Sequence, residues 1–245
     1  MNDKRVRIDK YVSSKLGVSR EEANRIIKSG GAELEGIMLD KPGGTFEEER
    51  LNNLKIAHPA RRYVGRGGEK LETALGYFKI NLRGRICLDV GASTGGFTDC
   101  MLKSGASRVY AIENGSNQLA QTLRENPRVV SHEETDIRSV PDGFFQDAAS
   151  FAAVDVSFIS MTRVLEKIVS LLAEEAEIVL LVKPQFETGA PGNANKRGVL
   201  KDKRIIERAI ENVTGFAESL SLKRIGMIPS PVETDNKEYL LYLSK

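Results

Sequence analysis

The sequence predicts an α/β protein: a mostly parallel seven-stranded sheet covered by helices on both faces, behind a small N-terminal α+β domain. Three observations carry that prediction. From Leu71 onward, short apolar runs alternate with stretches of helical periodicity. The first of those runs opens directly into a glycine-rich loop. The charge pattern also changes near residue 60, from a basic block through an acidic stretch (Glu33, Glu35, Asp40, Glu47 to Glu49) to a second basic block. The boundaries read as 1–60 for the small domain, 61–82 for a basic linker and a first helix, and 83–245 for the large domain.

In the small domain Ile8, Tyr11, Val12 and Leu16 recur at helical spacing, and Gly17 ends that helix. Ser19 is expected to cap a second helix, with Glu22 three residues on completing a capping box. Ala23, Ile26 and Ile27 share one face of it, while Arg20, Arg25 and Lys28 spread over the other. Gly30 and Gly31 stop the helix, and Ala32–Gly36 with Ile37–Lys41 read as a hairpin ending at Pro42. In the large domain the expected strands are Ile86–Val90, Val109–Ile112, Val129–Val130, Phe151–Val156 and Ile178–Val182, then Lys223–Met227 and Lys237–Leu243 as a final antiparallel pair. The helices expected between them are Phe97–Lys103, Asn117–Glu125, Met161–Leu172 and Arg204–Ser219. The Pro, Gly and Arg content of Pro59–Gly68 suggests a hinge.

Composition narrows the function classes. With 245 residues, 40% of them hydrophobic and 29% charged, the chain can bury a core, which excludes disorder and collagen-like structure. No apolar run reaches the roughly 18 residues of a membrane helix. The first residues also lack the apolar stretch of a secretory signal. Two cysteines (Cys87, Cys100) cannot build a disulfide framework, and with two histidines (His58, His132) a zinc cluster is not expected. The expectation is a reduced, cytoplasmic protein without a metal and without a membrane partner. Its formal net charge of +2 conceals two basic blocks, one holding Lys4, Arg5, Arg7, Lys10, Lys15, Arg20, Arg25 and Lys28, the other Arg61, Arg62, Arg66 and Lys70. Such blocks suit phosphate.

The glycine loop is Asp89-Val90-Gly91-Ala92-Ser93-Thr94-Gly95-Gly96-Phe97. Its small residues let backbone approach a ligand closely, at the carboxyl end of a strand where open α/β sheets bind nucleotides. It is not the G-x-G-x-x-G of dinucleotide sites. Asp89 is a poor neighbour for a pyrophosphate and a good one for a cationic amino-acid moiety. Asp-x-Gly-x-Ser-x-Gly is the pattern of S-adenosylmethionine-dependent methyltransferases. Glu113 ends the next strand and can accept both ribose hydroxyls; Asp136, with Ile137 beside it, is placed to meet the adenine. Four further polar residues stand out: Asp155 ending one apolar strand and Lys183 ending the next before Pro184, both at the rim of the glycine loop, Glu238 opening the last strand pair, and Lys70 in the basic Gly-rich segment before the first helix. Cys87 and Cys100 read as core, and His132 as a loop histidine.

Two resemblances follow from these motifs. Arg7-x-Asp9-x-x-Val12, Ser19-Arg20-x-x-Ala23 and Gly36 followed by Lys41-Pro42 resemble the small alpha-L RNA-binding module, here with Glu35-Gly36 in place of an apolar-Asn-Gly turn. That resemblance implies RNA contact through Arg5, Arg7, Arg20, Arg25, Lys28 and Lys41, continued by Arg62 and Arg66; a protein-interaction role is the alternative. The segments Tyr63 to Leu71, Asp89 to Asp99, Asp155 to Ser160 and Leu181 to Glu187 are similar to the TlyA family, often labelled hemolysin A, whose catalytic domain is FtsJ-like. The order Lys70, Asp155, Lys183, Glu238 resembles the catalytic tetrad of that ribose-methylating class.

The resemblance implies a Rossmann-like S-adenosylmethionine-dependent methyltransferase domain, S-adenosyl-L-methionine as cofactor, and ribosomal RNA or ribosomal subunits as partner. The implied reaction is 2′-O-methylation, typically of cytidine. The chemistry is coherent. A sulfonium methyl needs little activation, but a ribose hydroxyl is a poor nucleophile until its proton leaves. Lys183 as base would need desolvation and a neighbouring cation such as Lys70; as a cation it would stabilise the developing alkoxide. The competing readings are a catalytically inactive RNA- or ribosome-binding protein, a membrane-active hemolysin, and an NAD-dependent oxidoreductase.

Overall fold

A computed structural model describes residues 5–18, 20–56, 62–188, 199–232 and 234–245. The chain divides into two compact units, Met1–Arg61 and Arg62–Lys245.

In the first unit, strand β1 (Arg5–Arg7) leads into helix α1 (Ile8–Leu16), which ends where Gly17 takes a left-handed φ of 63°. Helix α2 (Arg20–Lys28) follows; Ser19, its expected cap, lies outside the described residues. Strands β2 (Ala32–Leu34) and β3 (Ile37–Met38) form the expected hairpin. Then come β4 (Thr45–Glu47), which pairs with β1, the short helix α3 (Glu48–Leu51), and β5 (Lys55–Ile56), which pairs with β2. Ile8, Val12, Ala23, Ile26 and Ile27, the apolar stripes of the two helices, meet Leu51 and Leu54 in one core. Fully burying each Ile, Val or Leu of this set is worth about 1.5–3 kcal/mol against leaving it in water.

The second unit opens with helix α4 (Gly67–Phe78) and strand β6 (Ile86–Val90). Helix α5 (Gly96–Lys103), β7 (Arg108–Ile112), helix α6 (Gln121–Arg124) and β8 (Val129–His132) follow. Next are β9 (Ala149–Val154), helix α7 (Leu165–Ser170), β10 (Leu172–Val182) and the single turn α8 (Pro184–Glu187). Helix α9 (Lys203–Ser219), β11 (Lys223–Pro229) and β12 (Tyr239–Ser244) complete it. The seven strands lie in the order β11-β12-β10-β9-β6-β7-β8. All neighbours are parallel except β12, which runs antiparallel to both β10 and β11. The chain winds from β6 out through β7 to β8 and then returns to the other side of β6 with β9. That reversal puts a switch point between β6 and β9, where open α/β sheets keep a crevice beyond their carboxyl ends.

Two expectations are corrected, and a third falls partly outside the described residues. Asn117–Glu125 is helical only over Gln121–Arg124, because Asn117 takes a φ of 54° and the amides of Gln118 and Leu119 donate to the Glu133 carboxylate instead of continuing a helix. Met161–Leu172 breaks into a 3-10 turn over Met161–Arg163 and the separate α7, while Leu172 already begins β10. Of the segment expected as a hinge, Pro59–Arg61 lie outside the described residues, whereas Tyr63 and Gly68 are buried.

Candidate active site

The carboxyl ends of β6, β7 and β9 open on a cavity of about 690 Å³, the size range of a small-molecule site. Gly91 lies against the end of β9: a Cβ there would stand 2.3 Å from the Asp155 carbonyl oxygen, and its φ is 83°. A residue without a side chain is required on both counts. The other glycines of the loop serve packing. A Cβ on Gly96 would come within 2.9 Å of the Gly68 nitrogen, and one on Gly95 would strike Leu123 and Leu119. Gly65 and Gly67 pack on the same loop, against Thr94 and Phe97 respectively.

Of the eleven residues expected to hold a cofactor, Gly91, Ser93, Glu113, Asp136 and Ile137 line the cavity; Asp89, Ala92, Thr94, Gly95, Gly96 and Phe97 do not. Asp89 is fully buried and accepts from the Thr98 hydroxyl at 2.6 Å, while its Oδ1 has no hydrogen-bond partner among the described residues. Burial pushes its carboxyl up to about 7; the Thr98 bond pulls the other way, and the charges of Asp155 and Glu113 add to the rise. It therefore sits behind the loop, where the sequence suggested direct contact with a ligand cation. Glu113 already accepts from the Ser93 amide on Oε2 and the Gly115 amide on Oε1, both at 2.8 Å. One lone pair remains on each oxygen for ribose hydroxyls. The Asp136 carboxylate is engaged by the Arg138 guanidinium, which holds it below the usual carboxylate range and competes with an adenine amino group.

The lining the sequence did not single out includes Asn114, Gly115, Gln118, Phe158 and Arg163. For Asn114, Gly115 and Gln118 the signal was weak because the 113–119 turn owes its shape to Glu133, which is distant in sequence. Together the lining supplies what an adenosyl cofactor needs: apolar faces from Ile112, Ile137 and Val156, and carboxylates at Glu113, Asp136 and Asp155. The residues present fit the group.

Beside the cavity the four rim residues fall into two ion pairs. Lys183 meets Asp155 at 2.5 Å and donates to the Ser157 hydroxyl at 2.8 Å. Lys70 donates to Glu238 at 2.6 Å. Sheet register explains the convergence. Val182 pairs with Tyr239 across β10 and β12, so Lys183 and Glu238 are the next opposed positions beyond the last pair. The Asp155 amide bonds the Val90 carbonyl, holding the exit of β9 to that of β6. Lys70 and Lys183 are each 8% exposed, a burial that lysine tolerates only when paired. Phe158, next to Ser157, is 92% exposed with a left-handed φ of 64°, an unusual state for an aromatic residue.

The eight basic residues expected at RNA are all exposed. Six lie in the first unit. Arg7 and Arg20 both bind the buried Asp9 carboxylate, which the Arg7 bond holds far below its ordinary range. Arg25 pairs with Glu22 at 2.7 Å, and Arg5 donates to the Thr45 carbonyl. Lys28 ends α2 and Lys41 follows the β2–β3 hairpin. Arg62 pairs with Glu72, and Arg66 stands at the start of α4. Among the described residues no group of His, Cys, Asp or Glu could hold a metal, and no helix is long and apolar enough to cross a membrane.

The FtsJ-like methyltransferase family matches residues 63–245. The 16S/23S rRNA (cytidine-2′-O)-methyltransferase TlyA of Mycobacterium tuberculosis is 37% identical over 243 residues, covering 98% of this chain and 90% of that one. Hemolysin A of Brachyspira hyodysenteriae is 36% identical over 97% of this chain and 99% of its own length. A solved structure of a hemolysin-named protein from Streptococcus thermophilus superposes with a TM-score of 0.78 at 37% identity, covering 99% of this chain and 89% of that one. By its sequence, its fold and the glycine loop at its switch point, the chain belongs to the FtsJ-like methyltransferases and, among them, to the TlyA family.

Proposed function

We propose that the protein is a cytoplasmic S-adenosylmethionine-dependent methyltransferase that modifies the ribose 2′-oxygen of ribosomal RNA, at cytidine. The observation that carries this reading is Asp155: it lines the cofactor-sized cavity and at the same time pairs with the buried Lys183. One residue thus joins the place for a methyl donor to the place for a nucleophile. The TlyA relative supplies the substrate class.

Glu113, Asp136, Ile137 and the Gly91 turn would hold the cofactor, which would supply an electrophilic methyl. Lys183 donates to the Ser157 hydroxyl and ion-pairs with Asp155, which leaves N–H capacity for the ribose oxygen. There it orients the hydroxyl and stabilises negative charge on the oxygen, whose proton passes to the Asp155 carboxylate and from there to solvent. Lys70 and Glu238 fix the start of β12 beside it. Orientation of the ribose oxygen toward the cofactor cavity by these residues would supply much of the rate. Phe158 presents an open aromatic face for the base. Arg5, Arg7, Arg20, Arg25, Lys28 and Lys41 bind RNA phosphate from the first unit, with Arg62 and Arg66 contributing from the second.

The test is transfer of labelled methyl to ribosomal subunits and naked rRNA, wild type beside Lys183→Ala. Label mapped to a ribose 2′-oxygen of cytidine, reduced by ~100-fold or more in the variant, is the expected result. Label on a base, or equal label with both proteins, would overturn the reading or the role of Lys183 respectively.

A further inference from the structure

Two chain segments leave the sheet side by side beyond β9 and β10, and they are joined at successive points. Asp155 and Ser157 both meet Lys183. Phe158 packs on Phe186 with ring centroids 5.1 Å apart. Farther along, the Ser160 hydroxyl donates to Glu187 Oε2 at 2.5 Å and the Met161 amide donates to Glu187 Oε1 at 2.9 Å. The last two bonds matter for the first three. Residues 157–159 carry no helix or strand, and Phe158 holds a strained backbone that persists only where its surroundings fix it. Ser157, Phe158 and Ile159 nonetheless form one wall of the cavity.

On one side this wall is fixed by Asp155, at the exit of β9. On the other it is fixed by Glu187, through Ser160 and Met161. Glu187 is itself set by α8, where Pro184 occupies the first turn and the Phe186 amide bonds the Lys183 carbonyl. Burial pushes the Glu187 carboxyl up against the pull of its two hydrogen bonds, a cost that an exposed carboxylate would not meet.

We infer that Glu187 is a positioning residue: by holding Ser160 and Met161 it places Ser157 and Phe158 against Lys183, and so sets how the target nucleoside is presented to the methyl donor. This deepens, and rests on, the methyltransferase reading above. Glu187 touches neither cofactor nor ribose; it acts through the 157–161 segment.

Two substitutions separate positioning from charge. Glu187→Ala leaves the Met161 amide and the Ser160 hydroxyl without their acceptor. Glu187→Gln can still accept from the Met161 amide and donate to the Ser160 oxygen, which accepts as readily as it donates. On the full chain, turnover of Glu187→Ala on rRNA is expected to fall by ~10-fold or more, because displacement by about an ångström at a reacting centre is costly. Cofactor affinity should change by less than about threefold, and Glu187→Gln should restore turnover to within about threefold of wild type. In combination with Ser157→Ala, the Glu187→Ala effect should be far less than additive.

Hydrogen exchange across 156–162, compared with the sheet, gives a readout independent of activity. Faster exchange confined to that segment in Glu187→Ala is expected. Exchange unchanged there, or turnover within about twofold of wild type, would overturn the inference, as would full additivity with Ser157→Ala. Exchange loosened in a protein whose wild type labels no rRNA would instead sink the substrate reading and leave the positioning of 157–161 standing.

Discussion

Single atoms decide two properties of this protein. A methyl group added at position 91 would be driven onto the Asp155 carbonyl at 2.3 Å, in a backbone conformation that disfavours any side chain. Gly91→Ala should therefore raise the cofactor dissociation constant by ~10-fold or more, read by calorimetry; an unchanged constant would mean that the β6 exit does not hold the ligand. The second property is the pH dependence of stability. Folded Asp89 keeps its proton up to about 7, whereas the ordinary carboxyl value is 3.8. Between those values the folded state binds more protons than the unfolded one, so stability falls as pH rises through that window and the loss is complete above it. Asp89→Asn cannot ionise and keeps the shape. The fall in melting temperature between about pH 5 and about pH 8 should shrink in this variant relative to wild type. If it does not, the ionisation responsible lies elsewhere.

At the scale of elements, what the sequence revealed and what it hid have physical causes. Strands β6, β7 and β9 were readable because a buried parallel strand needs a continuous apolar run, and Asp155 and Lys183 because charged residues at the ends of such runs are conspicuous; Lys70 and Glu238 joined them only through the family resemblance. Helix α6 was not readable. Its shortening depends on Glu133 capturing the amides of Gln118 and Leu119, a bond between residues some fifteen positions apart that no local periodicity encodes. For the same reason Gln118 and Asn114 were invisible as cavity lining, and so was the burial of Asp89 behind its loop. This bond predicts a function for Glu133. Glu133→Ala frees both amides and loosens the turn between β7 and α6, which walls the cavity beside Glu113. Cofactor affinity should fall by roughly threefold to tenfold, while turnover at saturating cofactor stays near wild type because the tetrad is untouched. A fall in turnover with affinity unchanged would contradict that division.

At the scale of the whole molecule, a formal net charge of +2 understates how unevenly charge is placed. In the first unit, Arg7 and Arg20 are drawn together by one buried carboxylate, Asp9, whose arginine partners are each about half exposed. Two guanidinium groups held by a shared anchor lose little side-chain freedom when they bind, which favours phosphate contact. Arg25 and Lys28 extend the same helix surface. If this unit supplies RNA affinity while the second supplies chemistry, the two properties must separate under substitution. Each phosphate contact contributes about 0.7–0.9 to the slope of log affinity against log salt. Combining Arg25→Ala with Lys28→Ala should therefore lower that slope by roughly 1–2 and weaken RNA binding at moderate salt. Cofactor affinity and turnover at saturating RNA should remain those of wild type, since neither residue belongs to the unit that contains the cavity. The opposite pattern, with turnover lost and the salt slope unchanged, would remove the first unit from RNA recognition and return it to the alternative protein-interaction role.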